Sequence, residues 1–246
     1  MERRFIHKNY LKKAKLFNPP FHAESTLFIL NNELLKFIRK ELLKERENVV
    51  NSLYKLEHTS CITPNFTMYD KTGFLGYGMD FIDNCRPLSW ETTFDTSFDR
   101  RKEIAFEICD LFSYLESKRF AYYDIHSNNL LFSNHKLKLV DLDSGIFANE
   151  DNFVKYDSMI RFEKKIIARI ILGILYGENP DDFKEKFHAR NTNKLMNLRN
   201  IYPNELKEFI EFAISDEFGH FETRKYIDLF SEDIVYDTRA MIKLIK

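Results

Sequence analysis

The stretch Tyr122-Tyr123-Asp124-Ile125-His126-Ser127-Asn128-Asn129, followed by Leu130-Leu131-Phe132, gathers a carboxylate, an imidazole and a carboxamide in one short loop. A second acidic cluster, Leu139-Val140-Asp141-Leu142-Asp143, comes after two short apolar runs. Carboxylate and amide oxygens are the donors that Mg²⁺ prefers, usually shared with substrate phosphates. A loop carboxylate beside such an ion can also take the proton of an attacking hydroxyl. These groups act together only if the two loops adjoin. A hairpin from Leu130 to Val140 would bring Asp141 back beside Asp124 and Asn129. Asp and Asn in loops also serve simply as turn formers. The two motifs together, at this separation and behind a good helix, point to function.

The elements that must position these groups are legible around them. Arg101 to Lys118 has Ile104, Ile108, Leu111, Phe112 and Leu115 at helical spacing, so the loop begins where that helix ends, near Arg119. Upstream, Ser25 to Leu30 reads as a strand, Asn31-Asn32 as a turn and Glu33 to Arg39 as the returning strand. Lys40 to Leu56 reads as a charged amphipathic helix with Val50, Leu53 and Leu56 on one face. Phe66 to Asp70 and Phe74 to Ile82 form a further expected hairpin, turned by Lys71-Thr72-Gly73. The polar segment after Asp83, with Pro87, is read as a link. Beyond Asp151 the chain reads as almost entirely helical, including Phe183 to Phe187, Asn204 to Ile214 and Glu222 to Phe230.

Residues 1–20 are basic and close with Asn18-Pro19-Pro20, which predicts a leader or an extra helix ending at the prolines. The expected organisation is an extension at 1–20, a strand-rich lobe at 21–83 and a mainly helical lobe at 84–246. Together they make one α+β unit with its site between the lobes.

Composition limits the alternatives. The chain has 246 residues and a formal net charge of −1, which gives no overall pull toward nucleic acid or an anionic membrane. Cys61, Cys85 and Cys109 are isolated, with no CxxC pair, and are read as reduced thiols. The apolar run around Ile166 to Tyr176 is broken by Ala168-Arg169 and is shorter than the roughly 20 residues a bilayer requires. No apolar run follows the basic N-terminus, so a cytoplasmic protein without membrane insertion is expected.

The pattern Asp-x-His-x-x-Asn, two strands, then apolar-Asp-x-Asp resembles the catalytic and metal-binding loops of the protein-kinase-like superfamily. The resemblance implies a bilobal fold, with a small antiparallel-sheet lobe and a mainly helical lobe. It also implies ATP and Mg²⁺ as cofactors and transfer of the γ-phosphate to a hydroxyl of a protein or small molecule. Under it, Asp124 is the base, Asn129 a metal ligand and Asp141 the main metal ligand. Asp143 either adds a ligand or caps the turn before Gly145. Lys36 is the phosphate-contacting lysine, with Glu47 as its partner on the next helix and Glu45 as the rival. Gly78 to Asp83 resembles the hinge strand, with the backbone of Asp80, Phe81 and Ile82 against adenine.

The chain departs from the family pattern in three places. No glycine precedes Gly73, so the turn from Phe21 to Thr26 would meet phosphates through backbone amides and the hydroxyls of Ser25 and Thr26. Tyr122-Tyr123 replaces the usual His-Arg pair. His126 resembles the aminoglycoside and choline kinase branch and some atypical bacterial kinases. It either sits near the phosphates or orders the loop by hydrogen bonding, and the second role is favoured. The segment after Asp143 is short and offers little platform for a peptide acceptor. The missing glycines also suggest a different class, a pseudokinase that binds nucleotide without turnover.

Overall fold

Asn31 and Asn32 both occupy the left-handed region, with φ of 50° and 64°. Two such residues make the turn whose twist matches a β-hairpin, and asparagine tolerates it better than most. The turn joins β3 (Ser25–Leu30) to β4 (Glu33–Ile38), with Leu27 opposite Lys36. The computed structural model describes residues 1–7, 10–17, 25–93, 95–182, 200–215 and 217–243.

β4 pairs on its other side with β6 (Gly73–Asp80), which pairs in turn with β5 (Phe66–Asp70). Gly76, at φ 148°, lies so close to β4 that a Cβ there would stand 1.9 Å from the Lys36 carbonyl oxygen. Only glycine lets the two strands approach at the level of Lys36.

The described part of residues 1–20 joins the sheet rather than forming an appended leader or a long helix, and the prolines lie outside the described residues. β1 (Glu2–Phe5) runs parallel to β5, and β2 (Lys15–Phe17) runs antiparallel to β3. The sheet order is β1-β5-β6-β4-β3-β2, six strands and mixed rather than purely antiparallel. The basic residues cover apolar surface: the Arg4 guanidinium lies 3.6 Å from the Phe66 ring centroid and pairs with Glu33 at 3.0 Å. Ile6, with Tyr10 and Leu11 from a 3₁₀ turn (Tyr10–Lys13), packs over Leu35, Phe66 and Met68 on one sheet face.

The other face takes α1 (Leu43–Val50), through Val50 against Ile38, Phe74, Tyr77 and Met79. The helix expected from Lys40 to Leu56 is therefore shorter, with a separate 3₁₀ turn at Leu53–Lys55.

The larger core belongs to the helical part. α3 (Phe98–Ser117) is capped by the Ser97 hydroxyl, which accepts from the Arg100 amide at 3.3 Å. Its apolar face packs with α4 (Phe153–Leu175) and α5 (Asn204–Ile214) in one cluster. Two buried cations on α4 hold the end of α5: Arg169 donates to the carbonyls of Ala213 (2.9 Å) and Ser215 (3.1 Å), and Lys165 donates to the Ser215 hydroxyl (3.0 Å). Cations suit a helix C-terminus, where carbonyls lack intrahelical partners.

α6 (Arg224–Ile227) is shorter than the helix expected over Glu222 to Phe230, and α7 (Glu232–Lys243) follows it. The helix expected at Phe183 to Phe187 lies outside the described residues. Among the described residues, no helix is long and apolar enough to cross a membrane.

Candidate functional site

α3 stops at Ser117, and Arg119 turns the chain with φ 56° into β8 (Phe120–Ala121). Tyr122 follows, fully buried, and its hydroxyl organises the next loop. The Asn129 amide nitrogen donates to the Tyr122 oxygen (2.7 Å), to the Asp124 carbonyl (3.0 Å) and to the Asp124 carboxylate (3.3 Å). Tyr122 donates to the Val140 carbonyl at 3.3 Å, and the Val140 amide donates to the Asn129 carbonyl at 3.0 Å. The loop from Asp124 to Asn129 is thus tied to the strand end that precedes Asp141.

That proximity comes from β9 (Leu130–Ser133) and β10 (Lys136–Leu139), joined through Asn134 and His135, both at positive φ. His126 makes contacts within the loop: its Nδ1 accepts from the Asn128 amide at 3.3 Å, and its Nε2 lies 3.7 Å from Asp124.

Two carboxylates not foreseen from the sequence brace the loop from behind. Asp181 accepts the Ser127 amide through both oxygens at 3.1 Å, while Leu88, the first residue of α2 (Leu88–Glu91), donates its amide to the Ser127 carbonyl at 3.2 Å. Glu163, buried on α4, accepts the Tyr122 amide at 2.6 Å. No sequence pattern marks either residue, because each meets the loop only through tertiary packing.

Burial pushes the Glu163 carboxyl well above its ordinary value of 4.5, overriding the Tyr122 amide that favours the charged form. An acid raised in this way stabilises the fold fully only below its unfolded value. That contribution is lost as pH climbs through the higher folded value. Glu163→Gln is therefore expected to match wild type in urea titrations at acid pH and to exceed it at alkaline pH.

Asp141 stands at φ 63° and ψ 33°, the left-handed region, at the end of the β10 run. Its partly exposed carboxylate receives the Lys36 ammonium from β4. Lys36 also donates to the buried Asp143 at 2.6 Å, and the Tyr77 hydroxyl donates to the same Asp143 oxygen at 2.7 Å. Arg46 of α1 donates to the Asp143 carbonyl at 2.5 Å. Burial, with Asp143 and Asp124 as the respective neighbouring charges, raises Tyr77 and Tyr122 well above the usual phenol value, so both hydroxyls stay protonated.

Several expectations change here. Glu47 does not hold Lys36; it accepts from the Tyr69 hydroxyl at 2.9 Å, and Asp143 holds the lysine instead. The rival Glu45 lines a cavity of about 290 Å³ with Arg46, Asp143 and Lys155. Asp143 is 4% exposed, and its Oδ1 accepts from both Lys36 and Tyr77, so it anchors the lysine.

The Phe81 amide, expected to face adenine, donates to the Asn32 carbonyl at 2.9 Å. Asp80 accepts from the Asn65 side chain at 2.7 Å, and the Ile82 carbonyl takes the Cys85 thiol at 3.5 Å. Ser25 and Thr26 open β3, in register with Ile38 and Phe37, while residues 21–24 of the preceding turn lie outside the described residues.

Two oxygen donors fit Mg²⁺. The bonds of the Asn129 side chain go through its nitrogen, which leaves Oδ1, and the partly exposed Asp141 carboxylate follows Val140, whose amide donates to the Asn129 carbonyl. Among the described residues there is no cluster of three or more His, Cys, Asp or Glu able to hold a metal by themselves. A two-donor site suits Mg²⁺, which commonly completes its shell with phosphate oxygens and water. Neither a protein-family model nor a curated protein sequence matches the chain.

Proposed function

We propose that this chain is an ATP-dependent phosphotransferase with a protein-kinase-like, two-lobed arrangement. The observation that carries the reading is the meeting of Lys36, from the six-stranded sheet, with Asp141, beside the loop of Asp124 and Asn129. Lys36 would contact nucleotide phosphates while Asp143 keeps it oriented. Asn129 and Asp141 would hold Mg²⁺, which neutralises charge on the phosphate oxygens.

Asp124, whose side chain is 44% exposed, would receive the proton of the acceptor hydroxyl. The hydroxyl oxygen bonds to the γ-phosphorus, the bond from that phosphorus to the β,γ-bridging oxygen breaks, and ADP leaves. Asn129 and His126 fix the carboxylate for this task, so catalysis rests mainly on positioning.

The acceptor favoured is a small molecule rather than a peptide. The segment after Asp143 is pinned close to the core: β11 (Ile146–Phe147) pairs with β8, the Ala148 amide donates to the Arg119 carbonyl at 2.8 Å, and Asn149 and Asn152 exchange hydrogen bonds at 2.8 and 2.9 Å. An extended peptide would have to displace these contacts.

A second reading, a nucleotide-binding regulatory module without turnover, draws on the engaged Phe81 amide and on Lys36 being held by two carboxylates. The two readings divide on whether ADP is released.

A thermal shift with Mg²⁺ and ATP tests the site both readings share. A ligand that binds the folded state raises the midpoint. Wild type is expected to shift, and Asp141→Asn, which tolerates the same left-handed backbone, is expected to lose most of the shift. No shift in well-folded wild type at saturating nucleotide would overturn the proposal.

A further inference from the structure

Arg101 is the fourth residue of α3 and is only 3% exposed. Its Nε and Nη1 are buried and make no hydrogen bond among the described residues. Its guanidinium carbon lies 5.6 Å from the ring centroid of Phe98, the first residue of the helix, so the charge sits beside the first turn of α3. Two further cations adjoin it, each with a carboxylate of its own: Lys102 Nζ lies 5.9 Å from the same ring and 3.6 Å from Asp228, and Arg239, on α7, lies 3.7 Å from Glu178 while its charge opposes that of Arg101. Glu232, an exposed residue at the start of α7, attracts Arg101 but forms no ion pair with it.

Guanidinium cannot escape this position by losing its proton, and a buried donor without an acceptor is unfavourable. Buried charges are ordinarily paired. A guanidinium fork matches a phosphate or carboxylate edge in two parallel bonds, and the first turn of a helix also favours negative charge. The unmatched donors of Arg101 and the helix start both call for the same missing partner, a small oxyanion.

We propose that Arg101 anchors a binding site for a phosphate-type oxyanion at the start of α3, separate from the nucleotide site. The chemistry fits free phosphate or a phosphomonoester equally. The site needs no catalytic activity and does not depend on the phosphotransferase reading.

Equilibrium dialysis with radiolabelled inorganic phosphate, without nucleotide and at constant ionic strength, tests it directly. Wild type is expected to show one saturable site, which Arg101→Met abolishes. In phosphate-free buffer Arg101→Met is expected to melt higher than wild type, because it removes an uncompensated buried charge; added phosphate should reverse that order. Should the methionine variant fail to fold, Arg101→Lys keeps the charge without the fork and is expected to bind phosphate about tenfold more weakly.

O-phosphoserine as competitor separates the two sources: displacement more efficient than by phosphate itself marks a phosphorylated chain, and weaker displacement marks the free ion. Three outcomes would overturn the site: no saturable binding to wild type, undiminished binding to both folded variants, or displacement by acetate as strong as by phosphate.

Discussion

Asp143→Ala is expected to destabilise the protein by about 3–5 kcal/mol, the usual cost of leaving one member of a buried ion pair without its partner. The substitution strands the Lys36 ammonium, which is 7% exposed, and removes the acceptor of the fully buried Tyr77 hydroxyl. Asp141 still faces the lysine, but from a side chain that is 39% exposed, and it offers Tyr77 nothing. Urea denaturation of wild type and variant at neutral pH gives the difference. The double variant Lys36→Met/Asp143→Leu should lose clearly less than the two single losses added, because it removes both charges together. A loss below about 1 kcal/mol for Asp143→Ala would mean that the pair makes only the contribution of a solvent-exposed one.

The second large effect concerns turnover. Asp124→Asn is expected to lower the rate of ADP formation by roughly 10²- to 10⁴-fold, the range associated with losing a general base. Nucleotide binding should survive, because the asparagine oxygen still accepts from the Asn129 nitrogen, which now lies 3.3 Å from the carboxylate. Single-turnover ADP release, with a panel of hydroxyl compounds and with water as acceptors, reads the rate, and the Mg²⁺–ATP thermal shift reads binding. A variant that turns over at the wild-type rate would remove Asp124 from the chemistry.

Local signals carried far along this chain. Asn31-Asn32 announced a hairpin because two adjacent left-handed residues have few other uses, and the apolar spacing from Ile104 to Leu115 announced α3. The loop around Asp124 and the return of Asp141 were legible because loop and hairpin are contiguous in sequence.

What stayed hidden depends on contacts between distant segments. Glu47 was chosen over its neighbours by helical phase, yet α1 sends the buried Arg46 to the Asp143 carbonyl and Glu47 to Tyr69. A buried arginine runs against composition-based expectation, and only its partner explains it. That Asp143 meets Lys36 and Tyr77 is likewise fixed by the fold and not by its neighbours in sequence. The strands at Glu2–Phe5 and Lys15–Phe17 are too short and too basic to show an alternating pattern.

Those two strands also constrain the order in which the protein can be built. Both outer edges of the large sheet belong to residues 2–17, β1 at one side and β2 at the other. That stretch is made before the strands it pairs with, and Glu2 finds its partner only when Phe66 has emerged. Until then it waits as a basic, unpaired ribbon, and the sheet it will close has bare edges open to other chains. Removing residues 1–17 should therefore produce aggregates rather than a smaller folded monomer, which size-exclusion chromatography would show.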